Sequence, residues 1–287
     1  MRISAHHLRF ALFLCAVLAS ACGSVVRKAT SQFADNLTAA ILNEDDVGTV
    51  RDGVPAYLVL VDGIIQGDPL DPDALLAGAK LYGAYAGGFV DDAERAQRLA
   101  GRAYVYARRA LCLREKALCA TLDAPYEQFA VALKQADAND VATLYGFAAA
   151  WAGQIEVNSG DWNAIADLPK LQSLLLWVNE RDAHYDNGGA ALYLGVLNSI
   201  RPASLGGKPE EGKAWFDKAL ELSGGKNQMV RVLYAQFYAR LVFDQELHDK
   251  LLNEVLAADP VAPRLTLINT LAKGKAKALL VSGKDFF

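Results

Sequence analysis

The sequence predicts an all-α fold, and three observations predict it. Long Ala- and Leu-rich stretches repeat their apolar residues at helical spacing. Short clusters of Gly, Pro, Asn and Asp separate them. Few segments show the alternating pattern of strands. Composition agrees: of 287 residues, 53% are hydrophobic and 22% charged, too apolar for a disordered chain and sufficient for a sizeable core.

The spacing predicts helices over 25–42, 54–66, 72–89, 92–116, 125–136, 141–157, 162–168, 171–183, 189–200, 209–222, 228–242, 245–257 and from 264 onward. Breaks fall at Asp68-Pro69, Asp71-Pro72, Asn187-Gly188-Gly189, Ser223-Gly224-Gly225 and Asp259-Pro260. Asp and Asn before a helical run accept the unpaired N–H groups of its first turn, and Pro is favoured at the first helical position because its missing N–H has no partner there.

The first residues read differently. Arg2 and Arg9 precede an apolar run from Phe10 to Leu18, then Ala19-Ser20-Ala21-Cys22. A basic start, a short apolar core and small residues describe a secretory signal over 1–21, too short to span a bilayer. The cysteine after those small residues resembles the lipobox of bacterial lipoproteins, with Cys22 as lipid attachment site. Leu18 stands one place further back than the usual leucine. Gly23 and Ser24 follow without Asp, which by analogy with enterobacterial sorting favours the outer over the inner membrane. Loss of residues 1–21 removes two arginines and no acids, so the formal charge of −4 becomes −6 over 22–287. That balance, with no basic tract, argues against nucleic-acid binding. Export places the remaining pair Cys112 and Cys119 in a disulfide-permissive compartment. On one unbroken helix they would lie about 10 Å apart along the axis, beyond bridging. A bridge requires the helix to end near Arg114–Lys116; otherwise both are buried thiols.

Small residues recur in phase with the helices. A small, a larger and a small residue at +4 and +7 mark the second helix of a tetratricopeptide (TPR) repeat, where they let two helices approach closely. Ala103, Ala107 and Ala110 fit, as do Gly212, Phe216 and Ala219, and Ala56, Leu60 and Gly63; Leu252, Val255 and Pro260 keep the end of the pattern. First-helix partners are Leu75, Ala79 and Tyr82; Leu144, Ala148 and Trp151; and Leu194-Gly195. The expected architecture over 22–287 is a degenerate α-solenoid of TPR-like hairpins.

Catalytic chemistry finds no constellation. His184 and His248 lie far apart and neither neighbours a Gly-flanked serine elbow. Zinc would need three or four closely spaced ligands, and nothing supplies them. Glu44-Asp45-Asp46 lacks the Gly-centred loop of a calcium site and reads as a capping turn. Leu205-Gly206-Gly207-Lys208-Pro209 lacks the Gly-Lys-Ser/Thr ending of a phosphate loop and reads as an interhelical turn. No enzyme, metal or cofactor is expected. The aromatics are more informative: Tyr82, Tyr85 and Phe89 share one helix face, and Tyr145 and Trp151 fall in the next apolar hairpin. Core packing accounts for most such stripes; the alternative is that these five line an apolar channel.

The chain resembles the TatT family of TPR-like lipoproteins associated with TRAP (tripartite ATP-independent periplasmic) transporters. The likeness runs through Val50-Arg-Asp-Gly-Val-Pro-Ala-Tyr-Leu58 with Asp62-Gly63, Leu75-Leu76, Leu81-Tyr82, Tyr85 to Phe89, and Tyr104 to Cys112. It continues through Ala150-Trp151-Ala152-Gly153, Asp161-Trp162, Leu168-Pro169, Leu205-Gly206-Gly207, Phe216 to Ser223, and Leu251-Leu252-Asn253-Glu254-Val255. The resemblance implies a homotrimer, a partnership with a periplasmic TRAP substrate-binding subunit, and a protomer channel for hydrophobic ligands. It implies no catalytic residues. The competing expectation is a TPR-type scaffold lipoprotein of an envelope assembly machine that binds no small molecule.

Overall fold

The computed structural model describes residues 36–287, and among them every regular element is helical. The signal segment 1–21, Cys22 and the start of the helix expected over 25–42 lie outside the described residues.

Helix α1 (Val47–Gly67) begins at Val47 rather than Val54, because Asp46 caps it: its carboxylate accepts the Gly48 amide at 2.8 Å and the Thr49 hydroxyl at 2.7 Å. Pro55 then lies inside the helix. It has no N–H for the Arg51 carbonyl, and the Tyr85 hydroxyl donates to that carbonyl at 3.2 Å. Helix α2 (Pro72–Phe89) starts on a first-position proline with Asp71 as cap, and α3 (Ala93–Arg114) on the Asp92 cap. The chain breaks at Glu115, and the one-turn helix α4 (Lys116–Cys119) folds back. Further along come α5 (Tyr126–Lys134), α6 (Val141–Val157), α7 (Trp162–Ala166), α8 (Leu168–Arg181), α9 (Gly189–Ser199) and α10 (Pro209–Leu222). The helix expected over 228–242 is α11 (Gln228–Leu233) running into a π-turn, Tyr234–Ala239. Helices α12 (Gln245–Ala257) and α13 (Thr266–Phe286) complete the chain.

Packing proceeds between near neighbours. Helix α2 lies between α1 and α3, α6 crosses both α2 and α3, and then α8, α9 and α10 stack in turn. The small residues explain the tight approaches. Ala103, Ala107 and Ala110 are fully buried on the inner side of α3. At the α9–α10 crossing a Cβ on Gly195 would sit 2.8 Å from the Phe216 ring, so that glycine is required by the closeness of the two helices. Leu75, Ala79 and Tyr82, and Leu144, Ala148 and Trp151, are likewise buried.

Two departures from the sequence reading stand out. Ala56, Leu60 and Gly63 face solvent; the buried face of α1 is Val50, Val54, Leu58, Val61 and Ile65. Both faces of this helix are apolar, so spacing does not choose between them. Moreover, the C-terminal helix packs back against α1. Leu267 joins the first core cluster, and the Arg264 amide donates to Asn43 Oδ1 at 2.6 Å. An open repeat stack makes contacts between neighbouring units only. The second cluster gathers Phe216, Tyr234, Leu252 and Val255, with Trp215 and Leu271 packed against both clusters.

Candidate functional site

A surface depression of about 460 Å³ lies between α1 and α3. Asp62 and Gln66 of α1 form one wall; Arg98, Gly101, Arg102, Val105 and Tyr106 of α3 form the other. The groove is organised around the Asp62 carboxylate. Its Oδ2 accepts from the Tyr82 hydroxyl and from Arg102 Nη1, both at 2.8 Å, and its Oδ1 accepts from the Tyr106 hydroxyl at 2.7 Å. Arg102 Nη1 also donates to the Tyr82 oxygen at 3.0 Å. Burial and the hydrogen bond to Asp62 push the Tyr106 hydroxyl up to about 12, so it stays a donor at neutral pH. Tyr82 is raised too, chiefly by burial, and Arg102 is raised chiefly by its hydrogen bond to Tyr82.

Along α3, Arg95, Arg98, Arg102 and Arg109 follow one another at +3, +4 and +7 and therefore share a face. Three of them lie over tyrosine rings: Arg95 is 5.6 Å from the Tyr85 centroid, Arg102 5.3 Å from Tyr82, and Arg109 5.8 Å from Tyr106. This row went unnoticed in the sequence. Its signal was available, since α3 carries six arginines and no lysine, but the ring beneath each cation comes mostly from a neighbouring helix.

The five aromatics considered as channel lining are buried or partly buried. Tyr82 and Tyr85 are buried in the first core, bonded to Asp62 and to the Arg51 carbonyl. Phe89 is partly buried and stacks on Tyr85 at 5.7 Å. Trp151, 3% exposed, packs among Tyr104, Phe129 and Phe147. Tyr145 donates to Asp186 at 2.6 Å; burial, with Asp186 beside it, drives its pKa well above the usual tyrosine value. None of the five lines the α1–α3 groove or a second, apolar depression of about 440 Å³ on α5 around Val131 and Ala132.

Cys112 and Cys119 are joined by a disulfide across the break at Glu115, with their Cα atoms 5.0 Å apart. His184 is exposed at the end of α8, whereas His248 is buried, its Nδ1 2.8 Å from Asp249 Oδ1 and its Nε2 accepting from Arg240 Nε at 3.3 Å. Among the described residues neither imidazole is hydrogen-bonded to a serine, threonine or cysteine. Glu44 and Asp46 are engaged as capping groups. Gly206 and Gly207 form the turn between a short 3-10 helix and α10. Among the described residues no group of three His, Cys, Asp or Glu side chains could hold a metal ion, and no helix is long and apolar enough to cross a membrane.

The family comparison decides the affiliation: the model of the TRAP transporter T-component family matches residues 43–287, which span every numbered helix. The chain belongs to that family. No curated protein matches it. The T-component is thus a component of a transport system, and its groove is to be understood as a surface of an accessory protein.

Proposed function

We propose that this T-component is a membrane-tethered accessory binding protein of a TRAP-type transport system, docking the periplasmic substrate-binding subunit. The match over residues 43–287 carries the reading. The sequence at 1–22 supports export and anchoring through a lipid on Cys22 at the periplasmic face, the outer membrane being favoured over the inner. The near-neighbour stacking of α1 to α10 and the small residues at its crossings support TPR-like hairpins as the repeating unit. A homotrimer remains part of this reading.

The placement of the aromatics bears on the ligand. A channel built from Tyr82, Tyr85, Phe89, Tyr145 and Trp151 would require their packed rings to separate. This favours docking as the primary activity, with a hydrophobic ligand secondary. The decisive experiment combines the purified, unlipidated chain with the substrate-binding subunit of its own TRAP system in analytical ultracentrifugation, alongside native mass spectrometry of the chain alone. A saturable complex and a trimeric mass are expected. Absence of any complex would sink the reading, and a complex lacking a retained lipid-like mass would restrict it to docking.

A further inference from the structure

We propose that the arginine row of α3, with the groove it borders, is the docking face for a folded partner that presents carboxylates around an apolar contact. The inference rests on the functional reading above and specifies the partner's chemistry and the surface it meets.

The row runs over fifteen residues, Arg95 to Arg109, about 21 Å along the helix axis. Its charges are not all spent within the chain. Arg102 is paired with Asp62 and Arg98 with Glu94, but among the described residues Arg95 and Arg109 have no carboxylate partner. Arg109 donates one Nη to the Pro69 carbonyl at 2.8 Å, and Asp92, at the N-terminal end of the row, turns its carboxylate onto the Arg95 amide. Asp91 is exposed beside it. The cations left for a partner are therefore Arg95 and Arg109, one at each end of the row.

What distinguishes these cations is restraint. A guanidinium lying over an aromatic ring is held near one orientation, so a partner carboxylate that pairs with its remaining N–H groups freezes less side-chain freedom on binding. Tyr85, Tyr82 and Tyr106 provide that support in sequence along the row. At its centre Val105 is 51% exposed, and Val59, 72% exposed, stands one helical turn before Asp62 on α1. An exposed apolar centre bordered by arginines that rest on buried or half-buried tyrosine rings, with no lysine in the helix, has the arginine enrichment and lysine depletion of a protein interface rather than of an ordinary solvated face.

The test measures affinity of the full mature chain for the purified TRAP substrate-binding subunit, with vesicles of anionic phospholipid as a second probe. The double variant Arg95→Glu/Arg109→Glu should weaken subunit binding by about tenfold or more, and the wild-type affinity should fall as ionic strength rises. Arg95→Lys/Arg109→Lys should fall between, because it keeps the charge and loses the planar fork. Lys275→Glu/Lys277→Glu on α13, the same change of charge elsewhere, should leave affinity within about twofold. Unchanged thermal melts exclude misfolding as the cause. Equal binding by wild type and Arg95→Glu/Arg109→Glu overturns the inference and leaves the functional reading standing. If the wild type binds no subunit, the functional reading fails and the docking face fails with it. Loss of vesicle binding alone in that variant overturns it in favour of a lipid surface.

Discussion

Helices α3 and α13 are alike in length, 22 and 21 residues, and both carry surplus positive charge, but they deploy it in different ways. The cations of α3 are all arginines; those of α13 are Lys273, Lys275, Lys277 and Lys284. Arg102 is tied into the Asp62 network, Arg108 into a pair with Asp123, and Arg114 bridges Asp73 at 2.6 Å and Asp140 at 3.2 Å. On α13 Lys273 caps the Leu256 carbonyl at 2.9 Å, while Lys275 and Lys277 are exposed. The planar guanidinium suits fixed, multidentate bonding; the ammonium on its flexible stem suits solvation. One helix uses charge to define a surface and the other to keep a surface wet.

Substitutions can break this contrast at successive depths. The largest effect is expected beneath α3, where Trp151 packs against Tyr104. Trp151→Ala opens a cavity there and should cost about 3–5 kcal/mol in urea unfolding. Asp62→Ala removes the acceptor shared by Tyr82, Tyr106 and Arg102. A loss of about 2 kcal/mol is expected, discounted because Arg102 is half exposed; an unchanged midpoint would show the network to be ornamental to stability.

Alkali tests the same network. Tyr106 has a folded pKa raised to about 12 against an ordinary value near 10, so its contribution is fully present below about 10 and is lost as pH rises toward 12. Over that range the unfolded chain has released the proton that the folded chain retains, and stability must fall. Tyr106→Phe should flatten this part of the pH profile, measured by urea midpoints beside a phenolate absorbance titration. At the shallow end, Lys275→Ala/Lys277→Ala on α13 should shift stability by no more than about 0.5 kcal/mol.

How much of this was legible in the sequence depends on where each determinant lies. Asp71-Pro72 and Asp92 mark helix starts because a cap is a contact between near neighbours. The buried triad Ala103/Ala107/Ala110 was readable because the other positions of α3 carry its arginines; α2 is apolar or small on nearly every face, and Leu75/Ala79/Tyr82 came from the repeat spacing alone. On α1 that rule had no purchase, and Ala56, Leu60 and Gly63 were assigned to a packing face they do not occupy. Tyr85 was legible as an aromatic on a helix face. Its bond to the carbonyl freed by Pro55 was not, since the partners are 34 positions apart.

The sequence by itself determined an all-helical chain, most helix boundaries, and a lack of catalytic spacing, because caps, breakers and apolar period act over a few residues. The tertiary structure decided which face of α1 is covered, how α13 packs back against α1, and how Asp62 gathers three donors from two other helices. It also decided the pairing of Cys112 with Cys119, which the sequence left open until the break at Glu115 brought the two together. These features depend on where helices distant along the chain come to rest, and that is settled by packing across the whole core.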